Sequence, residues 1–193
     1  RTEKIATIIN TMSHGMRCDL LDIGCGPGTL GLLLQKNVNY FGIDIALQNS
    51  APNFAEMDIT KNSIEWPDRR FDFIVAAGVF EYMGTLEKEK FAEIQGLLKP
   101  SGKFIVTYMN MDHRVKPKYP SWNNIKRIDE FRNSLEKYYD VDRYFPAYYS
   151  MSGADLQSRI MRKLQMFLNV RVPIFDIMLG VNYIFICSLK KAL

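Results

Sequence analysis

Cysteine, histidine and excess charge are all scarce in this chain of 193 residues, and each scarcity argues against a class of function. The odd number of cysteines and their spacing indicate neither a disulfide framework nor a zinc site, so we expect no metal. The net charge of +4, from 25 basic and 21 acidic side chains, is too small to require a nucleic-acid partner. The cysteines are Cys18, Cys25 and Cys187, and the two histidines are His14 and His113.

Long apolar runs are also missing. No stretch reaches the roughly 18 uninterrupted apolar residues that a membrane span needs, and the start of the chain has no secretory signal pattern. The length suits one α/β domain with a substantial core. The sequence therefore predicts a cytoplasmic protein with a single domain over residues 1–193.

A glycine-rich turn follows a short apolar run within residues 20–30, and it is the most informative feature present. Alternating glycines allow a tight turn and a close approach of backbone to ligand, at the start of a helix. The spacing is not that of a dinucleotide fingerprint, because Thr29 occupies the third glycine position. Asp22 would repel a pyrophosphate, but it could order the loop or receive a cationic group. The glycines are Gly24, Gly26 and Gly28.

This segment resembles the first motif of the class I S-adenosylmethionine-dependent methyltransferases, a hydrophobic residue followed by D-x-G-C-G-x-G. Further motifs of that family follow in order. The strand-like run 39–44 ends in Asp44, where a carboxylate can accept hydrogen bonds from both ribose hydroxyls. The run 71–83 resembles the fourth strand and the segment leaving it, and residues 98–103 resemble the LKPGG turn before a fifth strand at 103–108.

The resemblance implies a cofactor, S-adenosylmethionine, with S-adenosylhomocysteine as product, and a set of residues that bind it. Asp22 and the glycine loop would form the methionine side of the pocket, and Asp44 would bind the ribose. Asp58 would face the adenine amino group while Ile59 covers the ring. The wall beside the sulfonium would come from residues 77–80. The complete predicted set is Asp22, Gly24, Cys25, Gly26, Gly28, Asp44, Ile45, Asp58, Ile59, Ala77, Gly78, Val79 and Phe80.

The fold implied is α/β: a doubly wound, Rossmann-like, seven-stranded and mostly parallel sheet with an antiparallel edge strand. Its last two strands are predicted at 139–149 and 180–189, after a helix over 125–138, and a helical insertion at about 150–179 separates them. Apolar residues in the insertion recur at helical spacing opposite basic ones, which predicts a basic amphipathic helix. Packing of its apolar face on the domain is favoured over a substrate lid, and a lid over contact with a membrane surface.

The expected reaction is transfer of a methyl group to a small-molecule acceptor, with oxygen favoured over nitrogen or carbon. A sulfonium methyl is already activated, so alignment and exclusion of water do most of the work. A general base could assist, and His113, just beyond the fifth strand, is the first candidate. Many family members carry an acid-histidine pair where this chain has Glu81-Tyr82, so a histidine base is not expected there. Tyr82 is the second catalytic candidate, and it, Tyr108 or Glu81 could orient the substrate instead.

Other functions stay open at this stage. One is a non-catalytic module that keeps the fold to bind a partner, and another is an enzyme that uses the same sulfonium ligand for a different reaction. Exocyclic amines of nucleic-acid bases are disfavoured as acceptors, because residues 76–79 lack the (Asp/Asn)-Pro-Pro-(Tyr/Phe) motif. The protein is expected to be a monomer or a homodimer.

Overall fold

A computed structural model describes residues 1–47, 51–110, 125–149, 156–169 and 180–190. Its centre is one seven-stranded sheet in the order β3-β2-β1-β4-β5-β7-β6. The first five strands pair in parallel, whereas β7 is antiparallel to both β5 and β6. This confirms the predicted fold class. The strands are β1 (Cys18–Ile23), β2 (Val38–Asp44), β3 (Phe54–Glu56), β4 (Phe71–Ala77), β5 (Leu98–Met109), β6 (Tyr139–Tyr149) and β7 (Gly180–Leu189).

Five helices of the described ranges cover or flank this sheet. They are α1 (Thr2–Met12), α2 (Thr29–Leu33), α3 (Glu87–Leu97), α4 (Ile128–Leu135) and α5 (Leu156–Leu168), and two short 3₁₀ turns at Phe80–Tyr82 and Gly84–Leu86 precede α3. None of these helices combines the length and apolar character that a bilayer crossing requires.

The core lies on both faces of the sheet. On one face, Ile5 and Ile9 of α1 are buried in the same apolar cluster as Val75 of β4. On the other face, α3 and α4 bury a group of aromatic rings. Burial of each such ring stabilises the fold by roughly 1.5–3 kcal/mol. The group includes Phe80, Phe91, Phe104, Tyr108, Phe131 and Tyr139.

Two predicted boundaries differ from those observed. The helix predicted over 125–138 is confirmed but shorter, because Arg127 is an N-cap residue with extended backbone (ψ 153°). The turn predicted at 99–102 is the irregular start of β5, where the register shifts between Phe71 and Phe73 of the partner strand. A Cβ at Gly102 would lie 2.9 Å from the carbonyl oxygen of Phe71, so the two backbones approach closely there.

The topology determines where a ligand site should lie. From β1 the chain moves outward to β2 and β3, and it then returns to β4 on the other side of β1. Ligands of open α/β sheets bind at such a switch point, outside the carboxyl ends of the strands. Tyr149 and Gly180, the described residues that flank the 150–179 insertion, pair at this same edge.

The preferred interpretation of the insertion helix is wrong for the part that the structure describes. Five of its large apolar side chains are exposed to solvent rather than packed on the domain. They are Ile160, Met161, Leu164, Phe167 and Leu168.

Candidate functional site

The glycine loop after β1 forms a wall of bare backbone at the switch point. Gly24 and Gly26 have φ values of +73° and +52°, which side chains adopt only with strain. The N–H groups of Gly24 and Cys25 both donate to the carbonyl oxygen of Ile43 (2.7 and 3.1 Å), and this attaches the loop to β2. A Cβ at Gly24 would lie 2.5 Å from Cγ2 of Val79, whereas a Cβ at Gly26 would face open space.

Asp44, the last residue of β2, joins this loop to the next one. Its Oδ2 accepts a 2.7 Å hydrogen bond from the N–H of Gly26, and its Oδ1 accepts a 3.2 Å bond from the N–H of Ala46. An ionised carboxylate has about four lone-pair positions, so both oxygens can accept further bonds. Asp44 therefore orders the glycine loop and still offers acceptors to hydroxyl groups of a ligand.

A cavity of about 340 Å³ lies between the glycine loop, the end of β2 and the segment leaving β4. Much of the predicted set lines it, as does the candidate catalytic residue Tyr82. A second cavity of about 560 Å³ adjoins the first and shares Ile45, Met57 and Asp58 with it. The smaller cavity is lined by Gly24, Ile43, Asp44, Ile45, Met57, Asp58, Ile59, Thr60, Gly78, Val79, Tyr82 and Met83.

Four lining residues were missed at the sequence level. Ile43 and Met57 directly precede predicted residues, and Thr60 directly follows one, so their contact with the cavity depends only on local geometry. Met83 is the last residue of the run 71–83, beyond the wall predicted at 77–80, and a turn brings it back to the cavity. An apolar residue next to a motif acid was the only signal available for Met57.

Asp58 is held in one orientation by its neighbours. Its Oδ1 accepts hydrogen bonds from the Thr60 hydroxyl (2.6 Å) and the Thr60 N–H (3.0 Å), and its Oδ2 pairs with Nζ of Lys61 at 2.9 Å. The hydrogen bonds from Thr60, followed by the one from Lys61, lower the pKa of Asp58 to about 2. Asp58 is therefore an ionised carboxylate at the cavity rim, and its charge is paired with that of Lys61.

Other predicted residues support the loop from behind. The Asp22 carboxylate is buried and accepts a 2.6 Å hydrogen bond from the Tyr40 hydroxyl, and burial raises its pKa to about 7. Burial also raises the pKa of the Cys25 thiol to about 12, so this cysteine packs as a neutral group. Gly28 caps α2, and a Cβ there would meet the Phe54 ring at 3.5 Å.

The segment after β4 has two roles, because its backbone borders the cavity while one of its rings packs in the core. Ala77 ends the strand, and Gly78 turns the chain with a φ of +79°. The guanidinium of Arg1 lies beside this turn, and its Nη1 would be 2.8 Å from a Cβ at Gly78. The ring of Phe80, by contrast, is buried in the aromatic core and stacks on Phe91 at 4.7 Å. The backbone of this segment therefore faces the cavity region while its aromatic ring supports α3.

The candidate catalytic residues have separate placements. Tyr82 is exposed at the cavity. His113 falls outside the described residues. The other histidine, His14, precedes β1 and so lies at the opposite, amino edge of the sheet. No group of three His, Cys, Asp or Glu side chains suited to a metal ion occurs within the described ranges.

Comparison with known proteins gives one family and many similar folds. A family model described as "Methyltransferase domain" matches residues 1–157. The uncharacterized protein MJ0638 of Methanocaldococcus jannaschii is 31% identical over 118 residues, which are 59% of this chain and 51% of that protein. The chain thus spans about half the length of the curated relative it matches.

Solved structures resemble this chain over almost its whole length. A TehB-like S-adenosylmethionine-dependent methyltransferase from Corynebacterium glutamicum matches with a TM-score of 0.61 and 17% identity, covering 98% of this chain and 88% of that one. The Streptomyces caelestis methyltransferase CcbJ gives 0.66 and 10%, covering 98% and 90%. A Burkholderia thailandensis N1-methyltransferase, solved with 1,6-didemethyltoxoflavin and S-adenosylhomocysteine, gives 0.62 and 16%, covering 99% and 79%. At these identities, the likenesses establish the fold.

Proposed function

The chain belongs to the methyltransferase-domain family, and we propose that it transfers a methyl group from S-adenosylmethionine to a small-molecule acceptor, at an oxygen atom. The single observation that supports this proposal most directly is the position of Asp44. Its carboxylate lines the cavity and also accepts a hydrogen bond from the N–H of Gly26, so one acid joins the position proposed to bind ribose to the bare glycine wall.

The residues of the cavity fit the cofactor in three parts. The glycine loop would hold the methionine portion, since Gly26 faces open space that a side chain would fill. Asp44 would accept hydrogen bonds from the ribose hydroxyls with its unused lone pairs. Ile45 and Ile59 would cover the adenine ring, and Asp58 would accept a hydrogen bond from the adenine amino group.

When bound, S-adenosylmethionine supplies a methyl group on a sulfonium centre, already activated for displacement. The chain's residues must then hold the acceptor in line and exclude water. Tyr82 is proposed to orient the acceptor, because it is exposed at the cavity beside Val79. His113 remains the proposed base that takes the acceptor's proton.

A small acceptor is supported by the kind of molecule that a structural neighbour binds. The Burkholderia thailandensis methyltransferase was solved with a small heterocyclic substrate. The cavity here also contains few groups suited to a polymer: its walls are mainly apolar side chains and glycine backbone, with Asp44 and Asp58 as its acids.

The test begins with binding. Isothermal titration calorimetry with S-adenosylmethionine and S-adenosylhomocysteine should give micromolar affinity for the wild-type protein. Asp44→Ala should weaken both ligands by at least about 100-fold, because it removes an ionised acceptor of two hydroxyls and releases the glycine loop. Asp140→Ala is the matched control, since this acid is exposed at the start of β6, at the opposite edge of the sheet. It should bind like wild type.

Catalysis is tested separately from binding. A labelled-methyl assay against a panel of hydroxylated and amino acceptors should release S-adenosylhomocysteine with at least one acceptor. Tyr82→Phe should then lower the turnover number of that acceptor, with unchanged cofactor affinity. Tight binding without turnover of any acceptor would favour the non-catalytic module. Folded protein that binds neither ligand would overturn the proposal.

A further inference from the structure

Helix α5 exposes an apolar stripe that the proposed methyl transfer does not use. Ile160, Leu164, Phe167 and Leu168 follow the i, i+4, i+7, i+8 spacing of one helix face. Phe167 is 83% exposed, Ile160 57% and Leu168 53%, whereas large apolar side chains are usually buried. Four such side chains adjacent on one helix form a contiguous patch, and contiguous patches on a protein surface mark an interaction site.

The contacts of α5 with the domain explain why this stripe faces outward. Nζ of Lys4, on α1, donates a 2.6 Å hydrogen bond to the carbonyl oxygen of Met166, and Nη2 of Arg143, on β6, donates to that of Asn169 at 3.2 Å. Both carbonyls lie at the carboxyl end of the helix, where cations are favourable. Met166 is half-buried and lies about 160° around the helix from Leu164, at 100° per residue. The domain therefore holds the face opposite the stripe.

The charges of the helix indicate which partner covers the stripe. Its thirteen residues include Arg159, Arg162 and Lys163 and no acid. Lys163 is exposed and lies beside the stripe, about 60° around the helix from Ile160. A helix with an apolar face, a basic flank and no compensating acids matches peripheral helices that lie in the interface of anionic bilayers.

We propose that α5 docks this protein on an anionic lipid surface, with Ile160, Leu164, Phe167 and Leu168 inserted among the acyl chains and Lys163 at the level of the headgroups. Docking of a second copy is disfavoured by the same charges. In a symmetric dimer each surface faces its own copy, so the exposed Lys163 of each helix would approach the other copy's stripe with no acid on either helix to pair with it.

The experiment is vesicle co-sedimentation of the full chain. Vesicles containing phosphatidylglycerol and phosphatidylcholine should bind the wild-type protein, and binding should fall as salt is raised because surface charges are screened. Vesicles of phosphatidylcholine alone should bind it at least about tenfold more weakly. The double variant Leu164→Glu/Phe167→Glu should reduce binding to the anionic vesicles by at least about 100-fold.

The control variant is Leu32→Glu. Leu32 is 85% exposed on α2, so this substitution removes an equally exposed apolar side chain from a different surface. It should bind vesicles like wild type, and unchanged circular dichroism would show that all variants are folded. Equal binding of wild type and the double variant, or no binding to anionic vesicles, would overturn the proposal. So would a wild-type dimer, seen by light scattering, that the double variant dissociates.

Discussion

The hydroxyl of Tyr40 donates a 2.6 Å hydrogen bond to Oδ2 of Asp22, directly behind the glycine loop. The pair joins β1 to β2 beneath the cavity. Burial raises the pKa of Asp22 to about 7, and the Tyr40 hydrogen bond opposes part of this rise. A carboxyl group that supports a cofactor loop and titrates near neutral pH makes the stability of this protein depend on pH.

The sign of that dependence follows from linkage. Because the folded pKa lies above the unfolded value of about 3.9, the folded state binds the extra proton in the interval between the two values. The favourable contribution is complete at low pH and is lost as pH rises toward about 7. Between about pH 5 and pH 8 the free energy of unfolding of wild type should fall by about 2–3 kcal/mol relative to Asp22→Asn. Denaturant titrations at both pH values measure this difference.

The control for this prediction is Asp140→Asn, which changes an exposed acid. Its free energy of unfolding should follow that of wild type at both pH values. If the curves for wild type and Asp22→Asn run parallel across the interval, the carboxyl of Asp22 does not titrate as its burial indicates.

A pair of glycines separates backbone strain from ligand contact. Gly26 and Gly15 both have positive φ, +52° and +73°, and a Cβ on either would meet nothing within 4 Å. Alanine at either position should therefore cost about 1 kcal/mol of stability through strain alone. Only Gly26 belongs to the loop proposed to hold the cofactor. Gly26→Ala should weaken S-adenosylhomocysteine by at least about tenfold, because the new methyl group occupies ligand space.

Gly15→Ala is the control and should bind the ligand normally, since it lies before β1 at the far edge of the sheet. Calorimetry gives the affinities and thermal melts give the stabilities. Equal loss of affinity in both variants would mean that strain, rather than ligand contact, determines the role of Gly26.

Lys90 stabilises the segment that borders the larger cavity. Its side chain is buried in α3, and Nζ donates to Oε1 of Glu93 (2.9 Å) and to the carbonyl oxygen of Asn62 (3.0 Å). Oε2 of Glu93 accepts a 2.9 Å hydrogen bond from the N–H of Ile64. Lys90→Met would leave Glu93 without its cation, so we expect a loss of about 3 kcal/mol in the free energy of unfolding.

Two comparisons make this measurement specific. Lys88→Met changes an exposed lysine of the same helix and should alter stability by no more than about 0.5 kcal/mol. Adding Glu93→Leu to Lys90→Met should recover part of the loss, since a buried ion pair can often be replaced by apolar side chains. A double variant less stable than the single one would assign the effect to the hydrogen bond from Ile64.

The sequence predicted those parts of the site that depend on local geometry. A glycine loop after an apolar run, and an acid at the end of the next strand, are set by residues close in the chain, and Gly24 and Asp44 do line the cavity. Side-chain direction depends on distant packing and was harder to predict. Asp22 turns toward Tyr40, and Phe80 turns into the ring cluster around Phe91.

The insertion helix shows the same limit more clearly. The sequence predicted its amphipathic pattern, but such a pattern does not determine whether the apolar face packs on the domain or is exposed to solvent. That choice depends on Lys4 and Arg143, which hold the helix from elements more than twenty residues away in the chain. Neither residue carries a motif that would reveal such a contact.

The two carboxylate oxygens of Glu81 differ in their hydrogen bonding. Oε1 accepts the N–H of Met109, at the end of β5, over 2.9 Å, while Oε2 is buried without a hydrogen-bond partner among the described residues. Burial raises the pKa of this carboxyl. Glu81→Ala should cost about 1–3 kcal/mol of stability, because it leaves the Met109 N–H buried and unpaired.

Glu81→Gln separates the hydrogen bond from the charge. Its amide oxygen can still accept the Met109 N–H, and it removes a carboxylate whose ionisation burial disfavours. The raised folded pKa means that wild type loses stability as pH rises above the ordinary glutamate pKa of about 4.3, so Glu81→Gln should gain on wild type over that rise. Denaturant titrations of the three proteins over a pH series that starts below this ordinary value test this. If Glu81→Gln loses as much stability as Glu81→Ala at every pH, then the ionised carboxylate itself, rather than the acceptor for Met109, stabilises the carboxyl end of β5.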